Sequence, residues 1–339
     1  MPTMGLRAVR VSAALLLALA AILRPSVTAA ADMTELKVGI SEPVNTVLAL
    51  WMAEARGLYA AQGLKVEISS MGGGSRGAEA LQAGRIDVMH VGLSSVVRLN
   101  RAGADLRLIG SLSNVIRFTF FSAPGVKTAA DLKGGVVGVS SFGSESDATV
   151  TLALQRLGLT RDDVTLKEYG GGTRRLAALR TGEIKATAIN EPVASTAREH
   201  GLNVMVDLVA EQIPWLFSGL VVKHSRLEGN RALLTRFLKA TAEGNYLALG
   251  DAARAKEVLA RETKITDPKI IAIGYDDFRQ QTPLNLEPAR KGAENIIAQF
   301  PPAVSRNVDD YVDTSILDGL KREGFFATLE QKYGRRDRP

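Results

Sequence analysis

Hydrophobic and polar positions alternate in a regular way from residue 36 onward. Short apolar runs, which predict strands, cover residues 36–40, 64–68, 88–91, 106–109 and 118–122. Amphipathic stretches between them predict helices over 46–56 and 75–83. Strands that alternate with helices are typical of the α/β class. The first third of the chain therefore predicts an α/β fold.

A second copy of this pattern begins about a hundred residues later. Residues 71–88 read MGGGSRGAEALQAGRIDV and residues 169–186 read YGGGTRRLAALRTGEIKA, with 8 identities in 18 positions. Upstream, VGIS at 38–41 is echoed by VGVS at 137–140. The match extends past the glycines into the helix and the next strand. We therefore expect two similar α/β lobes in place of one large sheet.

The two lobes are expected to be joined by two crossings of the chain. The turn Ala-Pro-Gly at 123–125 predicts the first crossing, and the apolar run 216–222 predicts a strand that returns to the first lobe. Mainly helical segments follow, over 230–249, 252–262, 267–280, 287–299 and 316–323. This predicts a discontinuous first lobe, residues 32–122 plus 219–339, and an inserted second lobe, residues 123–218. Paired crossings form a hinge, and a hinge predicts a cleft that closes.

The N-terminal segment predicts export. Its apolar run at 11–23 has 13 residues, short of the ~20 that cross a bilayer as a helix. The run follows Arg7 and Arg10 and precedes the small-residue sequence Ala-Ala-Ala at 29–31. These features are typical of a signal peptide over 1–31, cleaved near Ala31, and favour a periplasmic protein over one held by an uncleaved anchor.

Composition excludes several classes of function. The chain is 46% hydrophobic and 23% charged, which excludes a disordered protein. It has no cysteine, and its histidines His90, His200 and His224 lack the spacing of a metal site. We therefore expect neither a metal nor a cofactor.

The positive charge lies mostly at the chain ends. Three arginines within residues 1–31 and a net two positive charges within 335–339 account for all but one of the formal net +6. A nearly neutral body offers no electrostatic footprint for nucleic acid. No nucleic-acid partner is expected.

Each lobe is predicted to run from a strand through a glycine cluster into a helix. The free N–H groups of the helix then point to the edge of the sheet, where they can bind a small polar or anionic group. Other strand ends on this edge carry hydroxyls and amides, which orient a polar ligand. The candidate ligand-binding residues are Ser41, Asn45, Gly73, Gly74, Ser75, Gly92, Ser94, Ser95, Ser140, Ser141, Phe142, Ser144, Gly171, Gly172, Thr173, Asn190, Glu191 and Trp215.

Charged residues near these loops have two interpretations each. Arg76 and Arg174, at equivalent repeat positions, either neutralise an anion or face water. Glu145, Asp147 and Glu191 either approach the ligand or cap helix N-termini. Aromatic residues near the same loops either cover an apolar part of the ligand or pack in the core; they are Trp51, Phe142, Tyr169 and Trp215.

Two enzymatic alternatives arise from the first glycine loop. Residues 72–77 fit G-x-G-x-x-G of dinucleotide-binding folds, but the acid expected ~20 residues later is missing. Residues 73–77 fit G-x-S-x-G of serine hydrolases, with Ser75 as nucleophile and His200 or His224 as base. The duplicated loop carries Thr173 and Arg175 at the matching positions, which favours ligand contact as the task common to both loops.

The ordered motifs of the chain resemble a known family. They are LKVGISEPVN, EARGLYAAQGLKVEI, ALQAGRIDV, TAADLKGGVVGVSS, LAALRTGEIKA and INEP. This series, over about residues 35–300, is similar to the periplasmic solute-binding proteins of the nitrate, sulfonate and taurine type. It also resembles thiamine-pyrimidine precursor proteins, although the cysteine-rich signature of their enzymatic branch is absent.

The resemblance implies a two-lobed type II periplasmic binding fold that serves an ABC importer. It implies a permease and an ATPase at the inner membrane as partners, a monomeric receptor, and no enzymatic activity. The implied ligand is a small polar or anionic organic solute, such as a sulfonate, taurine or nitrate. An aromatic carboxylate or a pyrimidine remains open as the ligand. A receptor that signals through a membrane sensor remains open as an alternative to one that serves a transporter.

Overall fold

The computed structural model describes residues 33–334. The predicted signal peptide over 1–31 lies outside the described residues. Within residues 33–334, no helix combines the length and the apolar character needed to cross a bilayer.

Within the described residues, ten strands form two five-stranded sheets. The strands are β1 (Thr34–Ile40), β2 (Leu64–Ser70), β3 (Val88–Val91), β4 (Leu106–Val115), β5 (Thr119–Ser122), β6 (Val136–Val139), β7 (Thr165–Glu168), β8 (Ala186–Ile189), β9 (Asn203–Asp207) and β10 (Pro214–Lys223). The first sheet has the order β2-β1-β3-β10-β4 and the second the order β7-β6-β8-β5-β9. In each sheet the first three strands are parallel and the fourth is antiparallel to both of its neighbours.

Helices pack against both sheets, and the helices after β10 enlarge the first lobe. They are α1 (Leu48–Ala55), α2 (Leu58–Ala61), α3 (Gly74–Gln82), α4 (Leu93–Arg101), α5 (Ala129–Leu132), α6 (Glu145–Arg156), α7 (Gly172–Arg180), α8 (Val193–Glu199), α9 (His224–Gly229), α10 (Arg231–Gly250), α11 (Ala252–Thr263), α12 (Pro268–Gln281), α13 (Arg290–Ile297), α14 (Ser315–Arg322) and α15 (Phe325–Tyr333). Short 3-10 turns lie at Asn45–Val47, Arg161–Asp163 and Val308–Asp310.

The internal repeat is confirmed by the matching sheet orders. Both glycine loops connect an outer parallel strand, β2 or β7, to the helix that follows it, α3 or α7. Gly72 and Gly170 occupy equivalent positions and both have positive φ, 70° and 77°. A side chain is strained in this conformation, which explains the glycine at both positions.

The chain crosses between the lobes at other residues than the sequence predicted. We expected the chain to cross at 123–125 and to return after 218, but β5 pairs with β8 and β9 in the second sheet. All of β10, from Pro214 onward, belongs to the first sheet. The crossings therefore lie at 116–118 and 208–213. The turn at 123–125 follows β5 inside the second lobe, because an apolar run does not specify which sheet a strand joins.

The C-terminal helices pack against the first sheet and its helices. Helix α10 approaches α1 so closely that a Cβ atom at Gly244 would lie 2.4 Å from the Ala49 carbonyl oxygen. Helix α13 approaches β10 in the same manner, since a Cβ at Gly292 would lie 2.9 Å from the backbone of Trp215. The first contact fixes α10 on α1, and the second fixes α13 on the strand that returns from the second lobe.

The first crossing carries a buried ion pair. Arg117 is 2% exposed and pairs with Asp277 on α12. Asn45 donates to the same carboxylate at 2.7 Å and to the Gly274 carbonyl oxygen at 2.8 Å. A buried guanidinium needs such a partner. The pair attaches the crossing segment to the helical layer of the first lobe.

Candidate functional site

A small cavity lies between the two sheets, where the carboxyl ends of their parallel strands meet. Its volume is about 40 Å³, and we call it the inner cavity. In open α/β sheets ligands bind outside this edge. The cavity is lined by Ser41, Glu42, Val44, Thr46, Gly74, His90, Val91, Gly92, Phe118, Ser140, Ser144, Glu145, Ser146, Asn190, Phe217 and Ser218.

Glu145 crosses this boundary from the second lobe. It begins α6, yet its Oε1 accepts from the backbone N–H of Ser94, at the start of α4 in the first lobe, at 2.7 Å. Its Oε2 accepts from the indole Nε1 of Trp215 on β10 at 2.6 Å. Burial raises the pKa of Glu145 to about 7, although both hydrogen bonds act to lower it. The carboxylate therefore occupies the anion-binding position of a helix N-terminus in the opposite lobe.

Glu42 makes the reciprocal contact from the first lobe. It follows β1 and accepts a short hydrogen bond from the backbone N–H of Gly172, at the start of α7 in the second lobe. It also pairs with Arg175, whose Nη2 lies 3.4 Å from Glu42 Oε1. Arg175 is fully buried, donates to the carbonyl oxygens of Gly170 and Ala188, and lies over the ring of Phe118. Each lobe thus places one glutamate on a helix N-terminus of the other.

His90 contributes a neutral ring to the cavity. Burial lowers its pKa to about 4, so the ring is uncharged at neutral pH. Its Nε2 lies 3.2 Å from Thr46 Oγ1 and 2.5 Å from Ser218 Oγ. The inner cavity consequently combines two carboxyl groups with neutral hydrogen-bonding groups.

The two lobes also touch through their serine-rich loops. Ser75 Oγ donates to the Phe142 carbonyl oxygen at 2.8 Å, and Ser75 N–H donates to Ser141 Oγ at 3.3 Å. Ser95 Oγ donates more weakly to the Gly143 carbonyl oxygen, at 3.4 Å. Polar groups from both sides of the cleft therefore bind one another, and the cleft is closed by direct contacts.

A second, wider space adjoins the inner cavity on the far side of Glu42. We call it the outer chamber; its volume is about 410 Å³. Its lining brings together the two glycine loops and the arginines that follow them. The lining residues are Glu42, Pro43, Ser70, Met71, Gly72, Arg76, Gly171, Thr173, Arg174 and Val193.

The structure brings sixteen of the eighteen predicted site residues to three places at the boundary between the lobes. Six of them line the inner cavity: Ser41, Gly74, Gly92, Ser140, Ser144 and Asn190. Gly171 and Thr173 line the outer chamber. Eight more form hydrogen bonds between the lobes or pack closely across their boundary: Gly73, Ser75, Ser94, Ser95, Ser141, Phe142, Gly172 and Trp215. Asn45 and Glu191 are directed elsewhere, Asn45 to α12 and Glu191 to Ser195 and Arg198 on α8.

Most of the charged and hydrogen-bonding side chains that line the inner cavity were not predicted from the sequence. His90, Thr46 and Ser218 lie on different elements and form one hydrogen-bonded cluster. Glu42 follows Ser41 at a strand end, so its position on the cleft edge was visible in the sequence. Its partner, the N-terminus of α7, was not, because that helix lies some 130 residues away. Phe118 in the first crossing and Phe217 on β10 meet edge to face, with ring centroids 4.9 Å apart.

The geometry gives no support to the serine hydrolase alternative. Among residues 33–334, no histidine hydrogen-bonds to Ser75, whose hydroxyl donates to a backbone carbonyl. His224 pairs with Asp105 and Glu228 on the first lobe, and His200 follows α8 at the protein surface. A nucleophilic serine requires a base within hydrogen-bonding reach.

Comparison with known protein families shows to which family the chain belongs. Residues 45–255 match the family described as NMT1/THI5 like. The chain belongs to the NMT1/THI5-like family. This match covers β2 to β10 and both glycine loops, and it confirms the family resemblance expected from the ordered motifs.

Two curated proteins are similar to this NMT1/THI5-like chain. The riboflavin-binding protein RibY of Chloroflexus aurantiacus is 25% identical over 201 residues, 57% of this chain and 56% of that protein. The putative aliphatic sulfonates-binding protein of Escherichia coli K12 is 29% identical over 220 residues, 62% of this chain and 66% of that protein. The chain thus spans less than two thirds of the length of either relative.

Solved structures share the fold. The alkanesulfonate-binding protein SsuA of Xanthomonas axonopodis pv. citri, bound to MOPS, has a TM-score of 0.66 and 20% identity, covering 78% of this chain and 91% of that one. The desulfurization enzyme DszB has a TM-score of 0.60 and 18% identity, covering 86% and 99%. These likenesses confirm the periplasmic binding protein fold. The fold accommodates both a binding protein and an enzyme, so the function must be argued from the site.

Proposed function

We propose that this protein is the substrate-binding component of an ABC importer, and that it captures one small polar or anionic organic solute between its lobes. The observation that carries the proposal is the cleft itself, formed where the strand ends of two similar sheets meet. Both relatives with curated names are solute-binding proteins, one for riboflavin and one for aliphatic sulfonates. A sulfonate, taurine or nitrate is the ligand class that the sequence motifs imply.

Capture requires that the solute bind the closed form more tightly than the open form. The closed cleft already holds bonds from both lobes, including Ser75 to Phe142 and Ser94 to Glu145. The inner cavity of about 40 Å³ is too small for most organic solutes. Entry of a ligand therefore involves opening at the crossings and replacing some of these lobe-to-lobe bonds by bonds to the solute.

The proposal includes a location and partners. The protein would be exported by its cleaved signal peptide, act as a monomer in the periplasm, and deliver the solute to a permease driven by an ATPase. No bond of the solute would be made or broken, so we propose that the protein is not an enzyme. The chain has no cysteine and its Ser75 hydroxyl has no basic partner among residues 33–334, which supports this view.

A ligand panel tests the proposal. The melting temperature of the secreted protein would be measured with taurine, alkylsulfonates, nitrate, aromatic carboxylates, pyrimidines and riboflavin. A solute at ~100 times its Kd stabilises the folded state by about 2.7 kcal/mol, a shift of several degrees. One clear shift supports a solute-binding protein, and the absence of any shift counts against it. Hydrolysis of a generic ester that is abolished in Ser75→Ala would instead favour the enzyme.

A glycine substitution locates the binding site in the cleft. A Cβ at Gly171 would lie 2.9 Å from Glu42 Oε2, so Gly171→Ala moves this carboxylate and alters both cavities. At Gly125, on the surface of the second lobe, a Cβ meets nothing within 4 Å. We expect Gly171→Ala to reduce the ligand-induced shift and Gly125→Ala to preserve it. Equal shifts in both variants would place the ligand outside the cleft.

A further inference from the structure

We propose that Arg76 and Arg174 form a binding site for an oxyanion in the outer chamber, one arginine from each lobe. The ligand group we assign to it is the sulfonate of an organic sulfonate. This inference rests on the proposed function, since it names the part of the solute that the cleft recognises and the residues that bind it.

The two arginines occupy equivalent places in the repeat. Arg76 is in the first turn of α3 and Arg174 is in the first turn of α7. Both side chains lie beside their own glycine loops. A Cβ built at Gly72 would be 3.9 Å from Arg76 Nη1, and one built at Gly170 would be 3.7 Å from Arg174 Cδ.

The loops that carry the arginines meet across the cleft. The Cβ position at Gly170 is 3.6 Å from the Gly72 carbonyl oxygen. Both arginines line the outer chamber, which has room for a small organic anion. The duplication therefore places two guanidinium groups from different lobes around one space.

The charges of the chamber favour an anion. Among residues 33–334, neither Arg76 nor Arg174 lies within ion-pair distance of a carboxylate. The one carboxylate that lines the chamber with them, Glu42, pairs with Arg175 and accepts from Gly172 N–H. The two guanidinium groups are thus free to bind an anion. A guanidinium donates paired, charge-assisted hydrogen bonds that match the oxygens of a sulfonate.

The inner cavity is unfavourable for the same group. Its charged lining consists of the carboxyl groups of Glu42 and Glu145, and its His90 is neutral. The lining of the inner cavity includes no lysine or arginine, whereas that of the outer chamber includes two arginines, so an anion is attracted more strongly to the outer chamber. An anion held by both arginines would also join the lobes, because each arginine belongs to a different one.

Titration calorimetry with ethanesulfonate tests the site. We expect Arg76→Gln and Arg174→Gln each to weaken binding about tenfold, and the double variant about a hundredfold, as for loss of charge-assisted hydrogen bonds. Arg85→Gln and Arg180→Gln are the matched controls. They remove the same charge from exposed positions near the opposite ends of α3 and α7 and should bind ethanesulfonate as the wild type does.

The outcomes separate this site from the proposed function. Wild-type affinity in the double variant, or equal losses in the controls, would overturn the arginine site. A wild-type protein that binds only a neutral solute such as riboflavin, unchanged in the double variant, would uphold solute capture and overturn the site. A wild-type protein that binds nothing on the panel would overturn both. Because both arginines are exposed, melting of the ligand-free variants should match that of the wild type.

Discussion

The indole Nε1 of Trp215 donates a hydrogen bond of 2.6 Å to Glu145 Oε2 across the boundary between the two sheets. Trp215 is on β10 of the first sheet, and Glu145 begins the helix α6 of the second lobe. The same carboxyl group accepts from Ser94 N–H, so it meets two groups of the first lobe at once. A buried carboxyl group of the second lobe therefore bonds to the first lobe at two points, and burial raises its pKa to about 7.

The first prediction concerns the effect of pH on stability. The pKa of Glu145 rises from 4.5 in the unfolded chain to about 7 in the folded protein. The folded state thus binds the proton more tightly between these values, and stability decreases as pH rises through this range. The shift corresponds to a loss of about 3 kcal/mol on going from below pH 4.5 to above pH 7.

The variant Glu145→Gln isolates this effect, because its amide does not titrate in this range. Urea unfolding from pH 4 to pH 8 should show that the stability of the variant relative to wild type increases by about 3 kcal/mol, on top of a constant cost for the hydrogen bond that the amide NH2 cannot accept. Glu42 and His90, which line the same cavity, are present in both proteins, so their contributions to stability cancel in the difference between variant and wild type. A difference that does not vary with pH would contradict a raised pKa.

A second prediction uses Gly92 to displace the same carboxyl group. A Cβ at Gly92 would lie 2.2 Å from Glu145 Cγ and Oε1, so Gly92→Ala expels Glu145 from the start of α4. The φ of Gly92 is −79°, which alanine adopts without strain. We expect the variant to open the cleft, with a larger radius of gyration by small-angle scattering.

Trp215 reports this change directly. The chain has two tryptophans, and Trp51→Phe leaves Trp215 as the only indole. In that background Gly92→Ala should shift the Trp215 emission to longer wavelength, since the indole loses Glu145 and gains water. Gly125→Ala, with free space around its Cβ, is the control and should leave the emission unchanged. An unshifted spectrum in Gly92→Ala would show that Glu145 stays in place.

The third prediction concerns the buried pair at the first crossing. Asp277→Ala leaves the buried guanidinium of Arg117 without its carboxylate, and Asn45 loses one acceptor. Removal of one partner from a buried ion pair destabilises a protein by about 3–5 kcal/mol. Denaturant unfolding of Asp277→Ala should show this loss. Asp276→Ala, at the neighbouring exposed position, should change stability by less than about 1 kcal/mol, and similar losses in both variants would count against a role for the pair.

The fourth prediction tests the contact between α10 and α1. A methyl group at Gly244 would meet the Ala49 carbonyl oxygen at 2.4 Å, with Ala53 at 2.8 Å, so Gly244→Ala should destabilise the protein by about 1–3 kcal/mol. Gly319→Ala, inside α14, has only the Arg322 Nη2 atom near its Cβ, at 3.9 Å. That variant should be more stable than wild type by up to about 1 kcal/mol, since alanine favours helix. Thermal melts of the two variants should therefore move in opposite directions.

Much of the fold could be predicted because its signals are local. The strand predicted at 88–91 coincides with β3, and the helix predicted at 252–262 lies within α11. The glycine loops were found because two copies of one pattern share residues along helix and strand. The crossings were misplaced because the run at 118–122 is as apolar as the first-lobe strands, and only pairing with β8 and β9 assigns it to the second sheet.

The candidate site could be predicted in outline only. Strand ends rich in serine and glycine indicated the correct edge of each sheet, and Ser41, Gly92 and Ser140 do line the inner cavity. Whether a polar group at that edge faces the cavity or the other lobe depends on the docking of the lobes. Ser75 was expected to face a ligand, and in the closed cleft it is bonded to the Phe142 carbonyl oxygen.

The sequence by itself determined the α/β pattern, the duplication, the edge where the strands end and the family to which the chain belongs. These follow from residue periodicity and from motifs within one element or its neighbour. Only the tertiary structure decided that Glu145 meets Trp215 and Ser94, that Glu42 meets Arg175, and that burial keeps His90 neutral. Hydrogen bonds, charge pairs and desolvation depend on distances between residues far apart in the chain, and those distances exist only once the two lobes are packed together.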